Sequence, residues 1–198
     1  QLAIHAMDMM RQQVRPETRI GTWIIAGGTA SNVIPEFGEL EVTVRHTERD
    51  YLNGLSEQIK KIFEGAALCT GTTVDIEFYG NPYDDMNQNQ RGTLLIEDVM
   101  TDMGIDFKPG PADIGGSSDI GNVSYQCAAF HPKLRLAGDD KVCHSKEFAA
   151  AMLEPTIEQT ILDGANIIGR TLLSLVENPA VLEEIVAEFN ASKFNVSK

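Results

Sequence analysis

Glu39-Leu40-Glu41-Val42-Thr43-Val44-Arg45 decides the fold. Leu40, Val42 and Val44 fall on one side of an extended chain, and Glu39, Glu41, Thr43 and Arg45 on the other. That two-residue period belongs to a half-buried strand. Immediately downstream the period changes. Leu52, Leu55, Ile59, Ile62, Phe63 and Ala66 recur at helical spacing, which predicts an amphipathic helix. Thr47, with Asp50 three residues on, resembles a capping box at its start, and Gly71 stands where a left-handed C-terminal stop belongs. Beyond it Val74, Ile76 and Phe78 alternate with Asp75 and Glu77, which predicts a further strand.

Upstream of the deciding stretch, Thr22 to Ala26 is a β-prone apolar run closed by Gly27-Gly28, and Asn32-Val33-Ile34-Pro35 makes a turn. Leu2, Ala6, Met9, Met10 and Val14 keep helical spacing as far as Pro16. Residues 1–79 therefore read helix, strand, strand, helix, strand. This is a ferredoxin-like βαββαβ unit without its first strand. No Met precedes Gln1 and the helix begins at once, so the sequence sets the expectation that the chain starts inside a domain.

Residues 80–92 are polar and rich in turn formers, and the domain boundary is placed there, giving a second domain over 80–198. In it, Thr93 to Met103 is predicted as a short helix. A glycine-rich polar loop, Gly115 to Ser124, follows, with strands predicted near Cys127 to Phe130 and Leu134 to Ala137. A long helix is predicted from Ser145 toward Val176, interrupted at Pro155, where the ring removes a donor and crowds the preceding turn. Asn178-Pro179 is a cap followed by a first-turn proline, opening a last helix to about Phe189.

The composition is that of an ordinary globular chain, 42% hydrophobic and 23% charged over 198 residues. A net charge of -13 argues against nucleic acid and anionic membranes, both of which reward a basic patch. Cys69, Cys127 and Cys143 leave an odd count at irregular spacing, which fits a reducing compartment and predicts a cytoplasmic protein. No C-x-x-C pair supports a metal knuckle around Cys143-His144. No apolar run approaches the ~18 residues of a membrane span.

Few residues stand out as carriers of chemistry. His144, beside Cys143 and Ser145 at the mouth of a helix, is either a metal ligand or a polar residue at a helix start. The Gly115–Ser124 loop either presents backbone N–H groups to an anion or is a tight turn needing positive φ. Asp119 holds a turn, orients a ligand or caps a helix. Arg45 ends the strand on its polar face with a fork that suits a carboxylate, though a solvated strand residue is the commoner outcome. Asn32 either donates to a carbonyl or supports its turn. His131 reads as structural, and His5 and His46 have no ligand-spaced neighbour. Without a Gly-x-Ser-x-Gly elbow or a His-x-x-x-His pair, the chain is not a self-contained serine hydrolase or zincin.

Four stretches, Gly27-Gly28-Thr29-Ala30-Ser31-Asn32-Val33-Ile34-Pro35, Glu39 to Arg45, Gly116-Ser117-Ser118-Asp119-Ile120-Gly121-Asn122-Val123-Ser124, and His144-Ser145-Lys146-Glu147-Phe148, follow one another in an order that resembles the zinc aminoacylase and carboxypeptidase superfamily of clan MH. The subgroup it is most similar to contains amidohydrolases related to aminobenzoyl-glutamate hydrolase. The resemblance implies an α/β metallopeptidase domain of the phosphorylase/hydrolase-like kind, into which a ferredoxin-like lid is inserted that forms a homodimer. Residues 1–79 resemble most of that lid, and 80–198 the C-terminal part of the catalytic domain.

Position by position, the resemblance implies that Asn32 and Arg45 bind the substrate, Arg45 through a carboxylate. It implies that Gly116 and Ser117 lie near the scissile amide, and that His144 is the last metal ligand. It implies two metal ions in each protomer, zinc by default with manganese open. The remaining ligands, the general-base glutamate and a lid histidine that the dimer partner would supply are not found in this sequence. No catalytic residue is therefore assigned, and the isolated chain is expected to be inactive. The implied reaction is hydrolysis of an amide bond in an N-acyl amino acid or small peptide-like substrate. The alternative is a non-catalytic dimerisation or binding module derived from the same fold.

Overall fold

A computed structural model describes residues 1–109, 116–136 and 141–193. The chain divides into two compact units, Gln1–Asp85 and Met86–Lys198. It combines helices with a small antiparallel sheet, a mixed α/β architecture.

In the first unit, helix α1 (Leu2–Met10) leads to strands β1 (Arg19–Ala26) and β2 (Glu39–Arg45), and then to helix α2 (Arg49–Thr70). The strands pair antiparallel with Ile20 opposite Val44, Thr22 opposite Val42 and Ile24 opposite Leu40. This register puts the alternating apolar residues of both strands on one face. Met7, Ile20, Leu55 and Ile59 are buried together there, with Val42 and Val44 packed against them. Burial of each such side chain contributes about 1.5–3 kcal/mol.

The expected ends of α2 are half right. Gly71 closes the helix at φ 67, and its N–H donates to carbonyls of the last turn. The start lies beyond Thr47: Glu48 is the N-cap, and neither it nor Thr47 supplies a side-chain cap. Instead, the Asp85 carboxylate accepts the Arg49 N–H at 3.2 Å, and Asp84 pairs with the Arg49 guanidinium. An acid at a helix N-terminus satisfies an orphan donor and meets the positive end of the dipole. These contacts keep residues 80–85 with the first unit.

The strand expected over Val74, Ile76 and Phe78 does not form. Residues 72–79 join no ladder, and among the described residues the sheet has two strands. Alternation gave these residues a strand-like pattern, but a strand requires a neighbour to exchange hydrogen bonds with. The segment is held by side chains: Lys60 Nζ lies 4.7 Å from the centre of the Phe78 ring. Hydrogen bonding to Glu41 holds the Tyr79 phenol above its ordinary pKa.

The second unit contains α3 (Gln90–Asp102), α4 (Ile120–Ser124), α5 (Lys146–Ala151), α6 (Thr156–Glu177) and α7 (Pro179–Lys193). α3 packs on α6 and α7, and Ile96, Met100 and Ile167 form the core, with Phe107, Phe130 and Leu134 against it. Asn89 caps α3: its Oδ1 accepts the Gly92 N–H at 2.9 Å while its Nδ2 donates to the Ile185 carbonyl of α7 at 2.9 Å. Pro155 interrupts the long helix as expected and becomes the N-cap residue of α6.

Residues 127–130 and 134–136 run outside any ladder, contrary to the two strands expected there, and Ala137 lies outside the described residues. Ala129 is buried and Phe130 packs on α3 and α6, so these apolar positions meet helices rather than a neighbouring strand. No helix among the described residues is long and apolar enough to cross a membrane.

Candidate functional site

In the first unit, β1 and β2 place their other face toward solvent. Gly21 and Trp23 of β1 stand opposite Thr43 and Glu41 of β2, and at the end of the ladder Arg19 stands directly opposite Arg45. Arg11, Arg15, Arg19 and Arg45 line a pocket of about 540 Å³, with Gly21 and Thr43 beside them. Two of these arginines already have carboxylates. Arg11 Nε is 2.9 Å from Asp8 Oδ1, and Arg15 Nη1 is 2.7 Å from Glu48 Oε2, with its guanidinium 4.4 Å over the Tyr51 ring. Arg19 Nη1 donates to the carbonyls of Pro16 at 2.7 Å and Thr18 at 2.8 Å. Among the described residues, neither Arg19 nor Arg45 has a carboxylate within ion-pair distance.

Asn32 is exposed in the loop between β1 and β2, one of the two central residues of a turn closed by the Val33 N–H and the Ala30 carbonyl at 3.3 Å. Its amide has no partner among the described residues. The loop is pinched where Gly28, at φ 110, passes Pro35: a Cβ at Gly28 would sit 2.7 Å from Pro35 Cγ. Only glycine fits that backbone and that gap.

In the second unit, Gly115 lies outside the described residues, and the described part of the loop begins at Gly116. Gly116 and Ser117 are exposed, and neither backbone N–H meets an acceptor among the described residues. Gly116 does not adopt a positive φ, so the left-handed turn weighed for this loop is not formed at that residue. The loop instead runs into the short helix α4. Asp119 occupies its N-cap position without a side-chain cap, and Ser118 Oγ accepts the Ile120 N–H at 3.4 Å. Ser124 is fully buried, donating to the Gly121 carbonyl at 2.5 Å and accepting the Asn87 N–H at 2.8 Å. It anchors the loop and does not face a ligand.

His144 takes the one positive φ of any non-glycine residue among those described, 67°. The Ser145 N–H donates to the Val142 carbonyl at 3.3 Å, closing a turn whose third residue is His144, the position that calls for positive φ in a type II turn. A side chain there costs on the order of 1–2 kcal/mol relative to an ordinary conformation. Ser145 then caps α5 by accepting the Phe148 N–H at 3.0 Å. The imidazole is therefore projected from a strained turn just ahead of a capped helix, and it is exposed.

One imidazole is one donor, whereas a catalytic zinc takes three protein ligands and a water. Among the described residues no group of three or more His, Cys, Asp or Glu converges. The described residues thus do not assemble a metal centre. His46, set aside at the level of sequence, is buried at 1% side-chain exposure, its Nδ1 accepting the Glu48 N–H at 2.9 Å, a structural role at the start of α2. Arg19 escaped the sequence reading altogether. It lies three residues before the apolar run Thr22 to Ala26, and only the strand register brings it beside Arg45.

The chain is 30% identical to the Xaa-Arg dipeptidase of Mus musculus over 191 residues, which cover 95% of this chain and 44% of that protein. The Xaa-Arg dipeptidase of Homo sapiens is 28% identical over 194 residues, with the same coverage of each. An N-acetyldiaminopimelate deacetylase of Leuconostoc citreum is 34% identical over 64 residues, 32% of this chain and 16% of that protein. The chain spans about 44% of the length of the two dipeptidases. No family model matches it.

Proposed function

We propose, for a chain similar to Xaa-Arg dipeptidases along 95% of its length and to an N-acetyldiaminopimelate deacetylase along 32%, that it forms the lid and part of the catalytic domain of a metal-dependent hydrolase. Its substrate would be an N-acyl amino acid or a small peptide-like molecule, cleaved at the amide bond. The observation that carries this reading is continuity: one alignment with a dipeptidase covers both compact units.

In this reading Arg45 takes the substrate carboxylate with its forked guanidinium, and Asn32 donates its side-chain amide to a carbonyl. The N–H groups of Gly116 and Ser117 face the oxygen of the scissile amide, where oriented donors stabilise developing charge. His144 contributes one imidazole to a metal site, zinc first and manganese second. The other donors and the general base come from polypeptide beyond these 198 residues, so the chain alone does not turn over substrate, and the lid mediates a homodimer.

A chimera tests this. The chain replaces the corresponding 44% of the mouse Xaa-Arg dipeptidase, and hydrolysis is followed for dipeptides with C-terminal arginine and for N-acyl amino acids, with zinc or manganese added. Hydrolysis by the folded chimera, abolished by His144→Ala, is the expected result. A folded, dimeric chimera that hydrolyses nothing would overturn the hydrolase reading and favour a non-catalytic dimerisation module. Turnover by the chain alone would overturn the incompleteness of its site.

A further inference from the structure

We propose that Arg19 and Arg45 form a two-guanidinium clamp for an oxyanion, a carboxylate or a phosphate group, in the pocket where the α1–β1 connection meets the end of the β1–β2 ladder. Antiparallel register makes them direct cross-strand neighbours, with side chains on the same face. Like charges so placed repel one another, and among the described residues no carboxylate pairs with either. The chain carries 29 acidic residues against 16 basic ones, yet among the described residues this pair has no acidic partner. The other two arginines of the pocket show the ordinary solution, each held by its own carboxylate.

The geometry also prepares Arg19 to bind. Its Nη1 is committed to the carbonyls of Pro16 and Thr18, which fixes the guanidinium plane at the α1–β1 connection. That leaves Nε–H and the Nη2–H donors, the edge that takes a carboxylate or phosphate in two parallel hydrogen bonds. Arg45 has no hydrogen bond to protein among the described residues, so its whole fork is available. Gly21 and Thr43 occupy the next register pair on this face, and the missing side chain at Gly21 keeps the floor open. The pocket, of about 540 Å³, is open to solvent, so an anion in bulk water reaches the pair.

The clamp adds Arg19 to the role proposed for Arg45 but rests on the first unit alone, and it stands whether or not the chain completes a hydrolase. The experiment is therefore a binding measurement on the 198-residue chain, with no turnover required. The Nε–H resonances of the arginines are followed by NMR at constant ionic strength while N-acetylglycine, inorganic phosphate or chloride is titrated. The expected result is saturable movement of the Arg19 and Arg45 signals with N-acetylglycine, phosphate or both, and none with chloride. The preferred anion identifies the ligand class.

Arg45→Ala and Arg19→Ala each weaken binding at least tenfold, and Arg170→Ala, in the second unit, leaves it unchanged. Arg19 also ties two backbone carbonyls, so Arg19→Lys is the second variant. It keeps the charge and loses the fork, and weakens binding several-fold in a protein with an unchanged unfolding midpoint. Linear shifts shared with chloride, or full affinity in the folded Arg19→Lys and Arg19→Ala proteins, would overturn the clamp.

Discussion

Replacing Gly92 by alanine tests the packing of the second unit at its tightest point. Gly92 lies in the first turn of α3, buried, with its N–H held by the Asn89 cap. A Cβ there would stand 2.0 Å from Phe130 Cε1 and 2.1 Å from Cζ. Carbon atoms rest at about 3.5–4.0 Å, so the ring must retreat by about 1.5 Å or swing out of its contacts with Ile96, Met100 and Ile167. Overpacking of this kind costs about 1–3 kcal/mol, and more if the ring leaves the core. Alanine in a helix returns about 1 kcal/mol.

The expected net loss is therefore about 0–2 kcal/mol, and larger if the ring leaves the core, each kcal/mol lowering the unfolding midpoint of a unit of this size by roughly 4–8 °C. Urea unfolding followed by far-ultraviolet circular dichroism measures it. A double-mutant cycle with Phe130→Ala isolates the cause: once the ring is gone, Gly92→Ala should be neutral or stabilising. Stabilisation of the otherwise unaltered protein by about 1 kcal/mol, the behaviour of an open helical glycine, would refute the reasoning. So would an equal loss in the two backgrounds.

Four further outcomes are expected. Ile167 is buried at 2% exposure and Ile168 exposed at 62%, so Ile167→Ala should cost about 2–5 kcal/mol in chemical denaturation while Ile168→Ala stays within about 0.5. Asn89→Ala removes a cap and the donor to Ile185, and should lower stability by about 1–2 kcal/mol in urea unfolding. Gly28→Ala forces a side chain into φ 110 and against Pro35, for a loss of about 1–3 kcal/mol by thermal unfolding. The Tyr79 phenol is held above its ordinary value chiefly by its hydrogen bond to Glu41, so Glu41→Gln should lower its titration midpoint in ultraviolet difference spectra. Because the raised value favours the neutral phenol, that contribution to stability is complete below the ordinary tyrosine pKa and is lost as pH rises through the folded one.

Much of the candidate site was legible in order along the chain but not in space. Asn32, Arg45, Gly116-Ser117 and His144 stand out only as members of an ordered set of stretches that resembles one family; taken singly, each has a commoner structural reading. The positive φ of His144 was not legible, since nothing in Cys143-His144-Ser145 calls for a left-handed residue as glycine would. Arg19 was invisible for another reason. A strand's neighbours are set by register with a distant segment, and its own sequence does not name them.

What the sequence determined by itself is local. Alternation made β2 a strand with Val42 and Val44 inward, the glycine at 71 ended α2, and Pro155, lacking an N–H, divided the long helix at a point its residue type dictates. What only the tertiary structure decided is pairing. Val74, Ile76 and Phe78 have a pattern as good as that of β2 and form no strand, because a ladder needs a second backbone beside it. Asp85 rather than Thr47 caps α2, Phe130 closes over Gly92, and Arg19 comes to face Arg45, each through a contact between residues distant in sequence. Side-chain period fixes which face of a segment seeks cover, and only the folded chain determines what provides it.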